Sequence, residues 1–171
     1  VIRNVFRHAT YFLYAESAAG ILGVLPLAHV NSRLFGNALV ALPFAVYGGI
    51  ASADANSATA LENAAQELAR KLGVDHLEFR NVAPRHMEWP TQDLYVTFRK
   101  AILPEVDENM QAIPRKQRAM VRKGIKNGLL STVDRNSERF FTLYADNVHR
   151  HGTPAMPKHY FDTLLQVFGD D

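Results

Sequence analysis

Between Leu61 and Leu72 the apolar residues Leu61, Ala64, Ala65, Leu68, Ala69 and Leu72 recur at the i, i+3, i+4, i+7 spacing that lays one face of an α-helix against a core. Thr59 and Glu62 stand three apart and can form a capping box at its start, and Gly73 supplies the stop. A stretch of strand character precedes this helix, residues 38–46, ending at Tyr47-Gly48-Gly49; another follows it, residues 75–81. Strand, helix, strand implies a right-handed crossover and a locally parallel pair. The fold class expected is therefore α/β (α+β).

Upstream, residues 10–16 alternate in part and are rich in aromatics, 17–20 are small turn residues, and 20–30 resume at strand density, which predicts an antiparallel hairpin. Pro26 within the second strand requires a bulge or an edge position. A turn over 33–37 leads into the strand before the helix. Downstream, residues 93–100 (D-L-Y-V-T-F-R-K) read as a strand with Leu94, Val96 and Phe98 on one face. The character then shifts to helix: a short acidic one over 104–110, a basic one after it, one begun by Ser137 and running to Arg150, and a last one over 158–168. Residues 129–133 read as a short strand between them. Phe140, Phe141, Tyr144 and Val148, with Phe161, Leu164, Leu165 and Phe168, give the last two helices more apolar surface than they can bury against each other. They either open a second domain or dimerise.

The positive charge of this chain is local. The 171 residues carry a formal net charge of only +2, yet Arg115, Lys116, Arg118, Arg122, Lys123 and Lys126 follow one another with no acid among them. At about 100° per residue, Arg115, Arg118, Arg122 and Lys126 fall along one side of a helix with Lys116 and Lys123 beside them, and Met120, Val121 and Ile125 fall opposite. Pro114 suits its first turn and Asn127-Gly128 its end. A helix that serves only solubility usually intersperses its signs and gains i,i+4 pairs. This one forgoes them, so its basic face is a candidate anion-binding surface. The guanidinium groups of Arg115, Arg118 and Arg122 can hold phosphate oxygens bidentately, which favours them over the lysines as specific contacts.

Composition limits the remaining chemistry. An apolar share of 47% indicates a globular chain, and the longest apolar stretch, 34–53, is broken by Gly36, Asn37, Pro43 and Gly48-Gly49 before it could span a bilayer. With no cysteine there is neither a disulfide framework nor a thiolate nucleophile. Val1 is not a methionine and no signal-peptide pattern follows, so the chain reads as a piece of a longer one. No P-loop, dinucleotide fingerprint, HExxH or Ser-His-Asp arrangement is visible, and no metal site is expected. Arg33-x-x-Gly36-x-Ala38 fits a pyrophosphate signature only formally, because it lies in a turn between strands and opens no helix. Tyr47-Gly48-Gly49 is better placed, at a strand's end before a helix, either as a ligand-facing turn or as a turn that backbone geometry alone requires. Glu78 and Arg80 share one strand face and line a cleft or pair with each other. Arg150, between His149 and His151, places cations at a helix end where they favour the dipole. Trp89 is either a ligand stack or packing.

These segments in this order resemble a known family. The hairpin, L-P-F-A-V-Y-G-G-I (42–50), the helix, H-L-E-F-R-N (76–81), D-L-Y-V-T-F-R-K (93–100), I-P-R-K-Q-R-A-M-V-R-K-G-I-K-N-G-L (113–129), F-F-T-L-Y-A-D-N-V-H-R-H-G-T-P (140–154) and Tyr160-Phe161 are similar to the FemAB/FemX-like branch of the Gcn5-related N-acyltransferase (GNAT) superfamily. The similarity is closest to the FemAB-like proteins associated with the exosortase/PEP-CTERM system of Gram-negative bacteria, and it covers nearly the whole chain. The resemblance implies a GNAT-like mixed sheet flanked by helices. It divides the chain into a first lobe over 1–111, a basic inter-lobe helix and short strand over 112–134, and the opening helices of a second, incomplete lobe over 135–171. It implies acyl or aminoacyl transfer to an amine in peptidoglycan, cell-envelope or exopolysaccharide assembly, in the cytoplasm or at the inner face of the membrane. The donor is either aminoacyl-tRNA or acyl-CoA, with no tightly bound cofactor. The anionic partner is tRNA or a diphosphate-linked envelope precursor, met by the basic helix together with Tyr47, Gly48, Gly49, Arg80 and Arg150. The remainder of the second lobe is expected elsewhere in the same protein. No catalytic residue is assigned. A CoA-dependent N-acetyltransferase and a non-catalytic polyanion-binding module are the alternatives.

Overall fold

The computed structural model describes residues 1–34 and 36–169. Among them are five strands in one mixed sheet and six helices. The residues gather into two compact units, one formed by Val1–Pro90 with the chain from Asn136 on, the other by Thr91–Arg135.

In the first unit, the short helix α1 (Ile2–Phe6) leads into the hairpin of β1 (Ala9–Ser17) and β2 (Gly20–Ser32). β3 (Gly36–Val40) pairs antiparallel with β2, and β5 (His76–Glu78) pairs parallel with β3, giving the order β1-β2-β3-β5. The two-residue β4 (Ala51–Ser52) lies against Gly23 and Val24 of β2. The expected hairpin and parallel pair are therefore present. Pro26 sits between the two stretches of β2 that have a second neighbour: β4 covers 23–24 and β3 covers 28–32. A residue with no amide donor is tolerated where one side of the ladder is interrupted. Of the expected 33–37 turn, Phe35 lies outside the described residues.

The helix α2 (Ala55–Leu72) closes over one face of this sheet. Its Leu61, Ala65 and Ala69 meet Leu25 and Leu27 of β2 and Leu39 and Ala41 of β3, with Tyr11, Leu13, Leu68, Leu72, Leu77 and Phe79 around them. Gly73 ends the helix in the left-handed conformation, as the sequence predicts. The start differs. Asp54 is the cap, its carboxylate accepting from the Ser57 amide at 2.8 Å and from the Ser57 hydroxyl at 2.9 Å. Thr59 and Glu62 form no capping box: Thr59 lies a turn inside and donates to the Ala55 carbonyl. The sequence reading placed the cap at Thr59, just before the first apolar residue of the periodic face, whereas the cap is Asp54, five residues earlier. At the other end, Asn37 ties the start of β3 to the end of α2, donating to the Gly73 carbonyl at 2.9 Å and accepting from the Asp75 amide at 2.8 Å.

Four strand expectations are corrected. The strand over 38–46 ends at Val40, because Leu42 and Phe44, on either side of Pro43, take positive φ (49° and 71°) and turn the chain out of the sheet. The strand over 75–81 is reduced to His76–Glu78. Residues 93–100 and 129–133 form no strand: their alternation supplies a face, but no ladder partner accompanies them, and Leu94, Val96, Phe98, Leu129, Leu130 and Val133 are exposed.

The last two helices are α5 (Ser137–Arg150) and α6 (Lys158–Phe168). Asn136, rather than Ser137, caps α5 by accepting from the Glu138 amide. The Ser137 hydroxyl instead donates to Asp162 of α6, a bond that, with Lys158 at 3.1 Å, holds the Asp162 carboxyl below the usual carboxylate range. Phe161 packs between Phe140, Phe141 and Tyr144, while Tyr160 reaches Phe6 of α1. Phe140 and Leu143 stay exposed, so these helices do carry apolar surface they do not bury.

Truncating the fully buried Leu39 to alanine is expected to cost about 2–5 kcal/mol in urea denaturation. Asp54→Ala lowers the denaturation midpoint and Asp54→Asn restores most of it, whereas Thr59→Ala leaves it nearly unchanged.

Candidate functional site

In the second unit, α3 (Val106–Gln111) carries the acids Asp107 and Glu108, and after a tight turn α4 (Arg115–Lys126) carries the cluster of cations. Pro114 occupies the N-cap and Gly128, at φ +68°, follows the C-cap Asn127. The helix is as the periodicity predicts. Among the described residues, none of its six cations forms an ion pair.

The six are not equivalent. Arg118 is bent back onto the turn before its own helix, its Nη2 donating to the carbonyls of Gln111 (2.8 Å) and Ile113 (3.0 Å) and its Nε to Ile113 (3.2 Å). A guanidinium held by backbone carbonyls has fewer donors left for phosphate. Arg118 therefore braces the α3–α4 corner through Nε and Nη2. Arg115, Lys116, Arg122, Lys123 and Lys126 remain exposed with no bond of this kind. The opposite side is open too, with Met120 and Ile125 exposed.

Tyr47, Gly48, Gly49 and Arg80 lie together in the first unit. Gly48 and Arg80 exchange both backbone hydrogen bonds, at 2.9 and 2.6 Å, in an isolated antiparallel bridge. A Cβ on Gly48 would fall 2.3 Å from the Ala41 carbonyl oxygen, and one on Gly49 would fall 2.2 Å from Asn81 Oδ1. Close packing against backbone thus requires Gly48, whereas a side chain at Gly49 would have to displace the Asn81 side chain. The two glycines form a wall of an open cleft of about 410 Å³, completed by Leu42, Ile50, Asn81 and Arg85. The Arg80 guanidinium is engaged: its Nε donates to Glu78 at 2.7 Å and its Nη1 to the Ala45 carbonyl at 2.8 Å. Glu78 and Arg80 pair, and Arg80 also lines the cleft. Arg150 is paired as well, with Asp146 one turn earlier on α5 at 2.6 Å.

One cluster escaped the sequence reading. Glu62 of α2 is buried, and two basic side chains from the segment after β5 converge on it: His86, whose Nε2 comes to 2.7 Å without the alignment of a hydrogen bond, and Arg85 at 3.6 Å. His86 Nδ1 lies 3.2 Å from Glu88, and its ring stacks on Trp89, which in turn stacks on Phe79. Trp89 is therefore packing. Glu62, with Glu88 behind it, pushes the His86 imidazole above its ordinary value. The available signal was the position of Glu62, three before Ala65 and seven before Ala69, at the margin of the apolar face of α2. Among the described residues no three acidic or histidine side chains gather as a metal-ligand set, and no helix is long and apolar enough to cross a membrane.

Comparison with protein-family models, curated proteins and solved structures finds no significant match to this chain.

Because the His86 pKa is raised on folding, its pairing with Glu62 adds stability below the ordinary histidine value and loses it as pH rises through the folded value. Trp89 is the only tryptophan, so its emission should titrate with a midpoint above that of free histidine. Glu62→Gln should move the midpoint down.

Proposed function

We propose that this chain is part of a FemAB-like acyltransferase, moving an acyl or aminoacyl group onto an amine in the assembly of peptidoglycan, another envelope polymer or an exopolysaccharide. The reading rests on the resemblance of the ordered motifs and is supported by one observation above the others: α4 presents cations that no acid of the described chain neutralises. Like charges crowded on one short helix repel one another, while a polyanionic ligand satisfies them together and releases its counter-ions. The hairpin, helix and parallel strand of the first unit agree with a GNAT-like lobe. In this reading α4 holds the anionic part of the substrate, either the phosphates of a charged tRNA or the diphosphate of an envelope precursor.

Acyl transfer to an amine needs a deprotonated nucleophile, a positioned ester or thioester and donors for the developing oxyanion, but no enzyme nucleophile. The absence of cysteine is compatible with that. The cation set for binding is Arg115, Lys116, Arg122, Lys123 and Lys126, with Arg118 in a supporting role. The cleft beside Gly48 and Gly49 offers packing walls rather than free charge.

The test is fluorescence anisotropy of labelled bulk tRNA against the full chain at two salt concentrations. Binding should weaken steeply with salt. Arg115→Ala/Arg122→Ala should weaken it at low salt and flatten the salt dependence, and Arg115→Lys/Arg122→Lys should restore part of it. No binding at low salt removes tRNA as the ligand, and acetyl-CoA binding in its place supports the N-acetyltransferase alternative.

A further inference from the structure

β1 is the outer strand of the sheet, and among the described residues its nine members make ladder hydrogen bonds to β2 alone. A strand paired on one side presents a row of free N–H and C=O groups that can template another strand. Such edges are ordinarily blunted by lysine, proline, an inward-pointing charge or a bulge, and the register shift of the β1–β2 ladder falls between Ala15 and Glu16, past the run considered next. The run from Ala9 to Ala15 reads A-T-Y-F-L-Y-A and contains none of these. Its Tyr11, Leu13 and Ala15 pack toward the core beneath α2, so Phe12 and Tyr14 point to the opposite face, where they are 76% and 61% exposed. Beside the same edge, an apolar groove of about 240 Å³ opens where Leu13 and Ala15 meet Ala60, Leu61 and Ala64 of α2.

We propose that β1 is the seam of a homodimer, pairing antiparallel with β1 of a second copy about a two-fold axis at Leu13. Residues directly opposite in an antiparallel pair share a face, and this register suits the strand to itself. Phe12 lies opposite Tyr14 of the second copy, and Tyr14 opposite its Phe12, which makes two aromatic cross-strand pairs on the exposed face. Glu16 is the only charged residue of the strand, and it meets Thr10, so no like charges oppose. On the α2 face the large Tyr11 of the second copy lies opposite the small Ala15, at the groove that Ala60 and Ala64 leave open. A two-fold seam uses the same edge of both copies, so the assembly closes at two.

Sedimentation equilibrium of the full chain should show a dimer. Phe12→Lys/Tyr14→Lys, which opposes like charges twice across the seam, should raise its dissociation constant about tenfold or more. Because both side chains are exposed, the melting curve should not move at concentrations where the parent chain is already monomeric, and should fall only where the parent chain is dimeric. The chain contains no cysteine, so single introductions report the register: Leu13→Cys should form an interchain disulfide on mild oxidation and Phe12→Cys should not. A monomer at every concentration overturns the proposal, as does growth beyond a dimer or a dimer indifferent to the double lysine variant. Crosslinking through Phe12→Cys alone overturns the Leu13 register.

Discussion

The contact of α2 with the sheet is the constraint on which the first unit depends. Alanines at 65 and 69 let the helix backbone come close to β2 and β3, and Leu61 fills the space against Leu25 and Leu39. The two largest side chains removed completely from water, Leu25 and Leu39, lie on adjacent strands under that helix. Burying apolar area of this kind is the main favourable term for a small domain. It also dictates the crossover: the chain must leave β3, traverse the sheet as α2 and return as β5 in the same direction. The Asn37 bonds to Gly73 and Asp75 close that loop at its base, and Glu62 with His86 and Arg85 fastens the segment after β5 to the margin of the helix's buried face.

In the first unit, ion pairs join Arg80 to Glu78, Arg85 and His86 to Glu62, Arg150 to Asp146, and Lys158 to Asp162 and Glu138. In the second, α4 carries its cations with no acid beside them, and among the six Arg118 alone spends its donors on backbone carbonyls. A patch of like charge on one short helix raises the local potential and concentrates counter-ions. What singles out α4 is the clustering of six cations with no acid among them, in a chain whose total charge is nearly balanced.

The edges of the sheet are likewise unequal. β5 is three residues long and offers little template, whereas β1 is nine residues long and uncharged over most of its length. A long uncharged edge is tolerated when something closes it. A self-complementary two-fold does so without a second protein and without leaving a new edge.

Helical segments were the most legible part of this chain, because a 3.6-residue period is written locally: α2 over its apolar face, α4 with its basic face, and α6 all stand where their patterns place them. The hairpin was legible from two runs of strand character around a turn, and the parallel pair from the order strand, helix, strand. Strand ends, helix N-caps and the long-range ion pairs were not. The turn at Leu42 and Phe44 depends on two left-handed residues around Pro43, the cap at Asp54 precedes the periodic face, and residues 93–100 alternate without acquiring a partner. Of the candidate site, the sequence by itself determined which residues carry positive charge and on which helix face they lie. Only the tertiary structure decided which of the chain's cations are engaged, because contacts such as those of Arg85 and His86 with Glu62, or of Arg80 with the Ala45 carbonyl, join segments far apart in sequence that no local spacing relates.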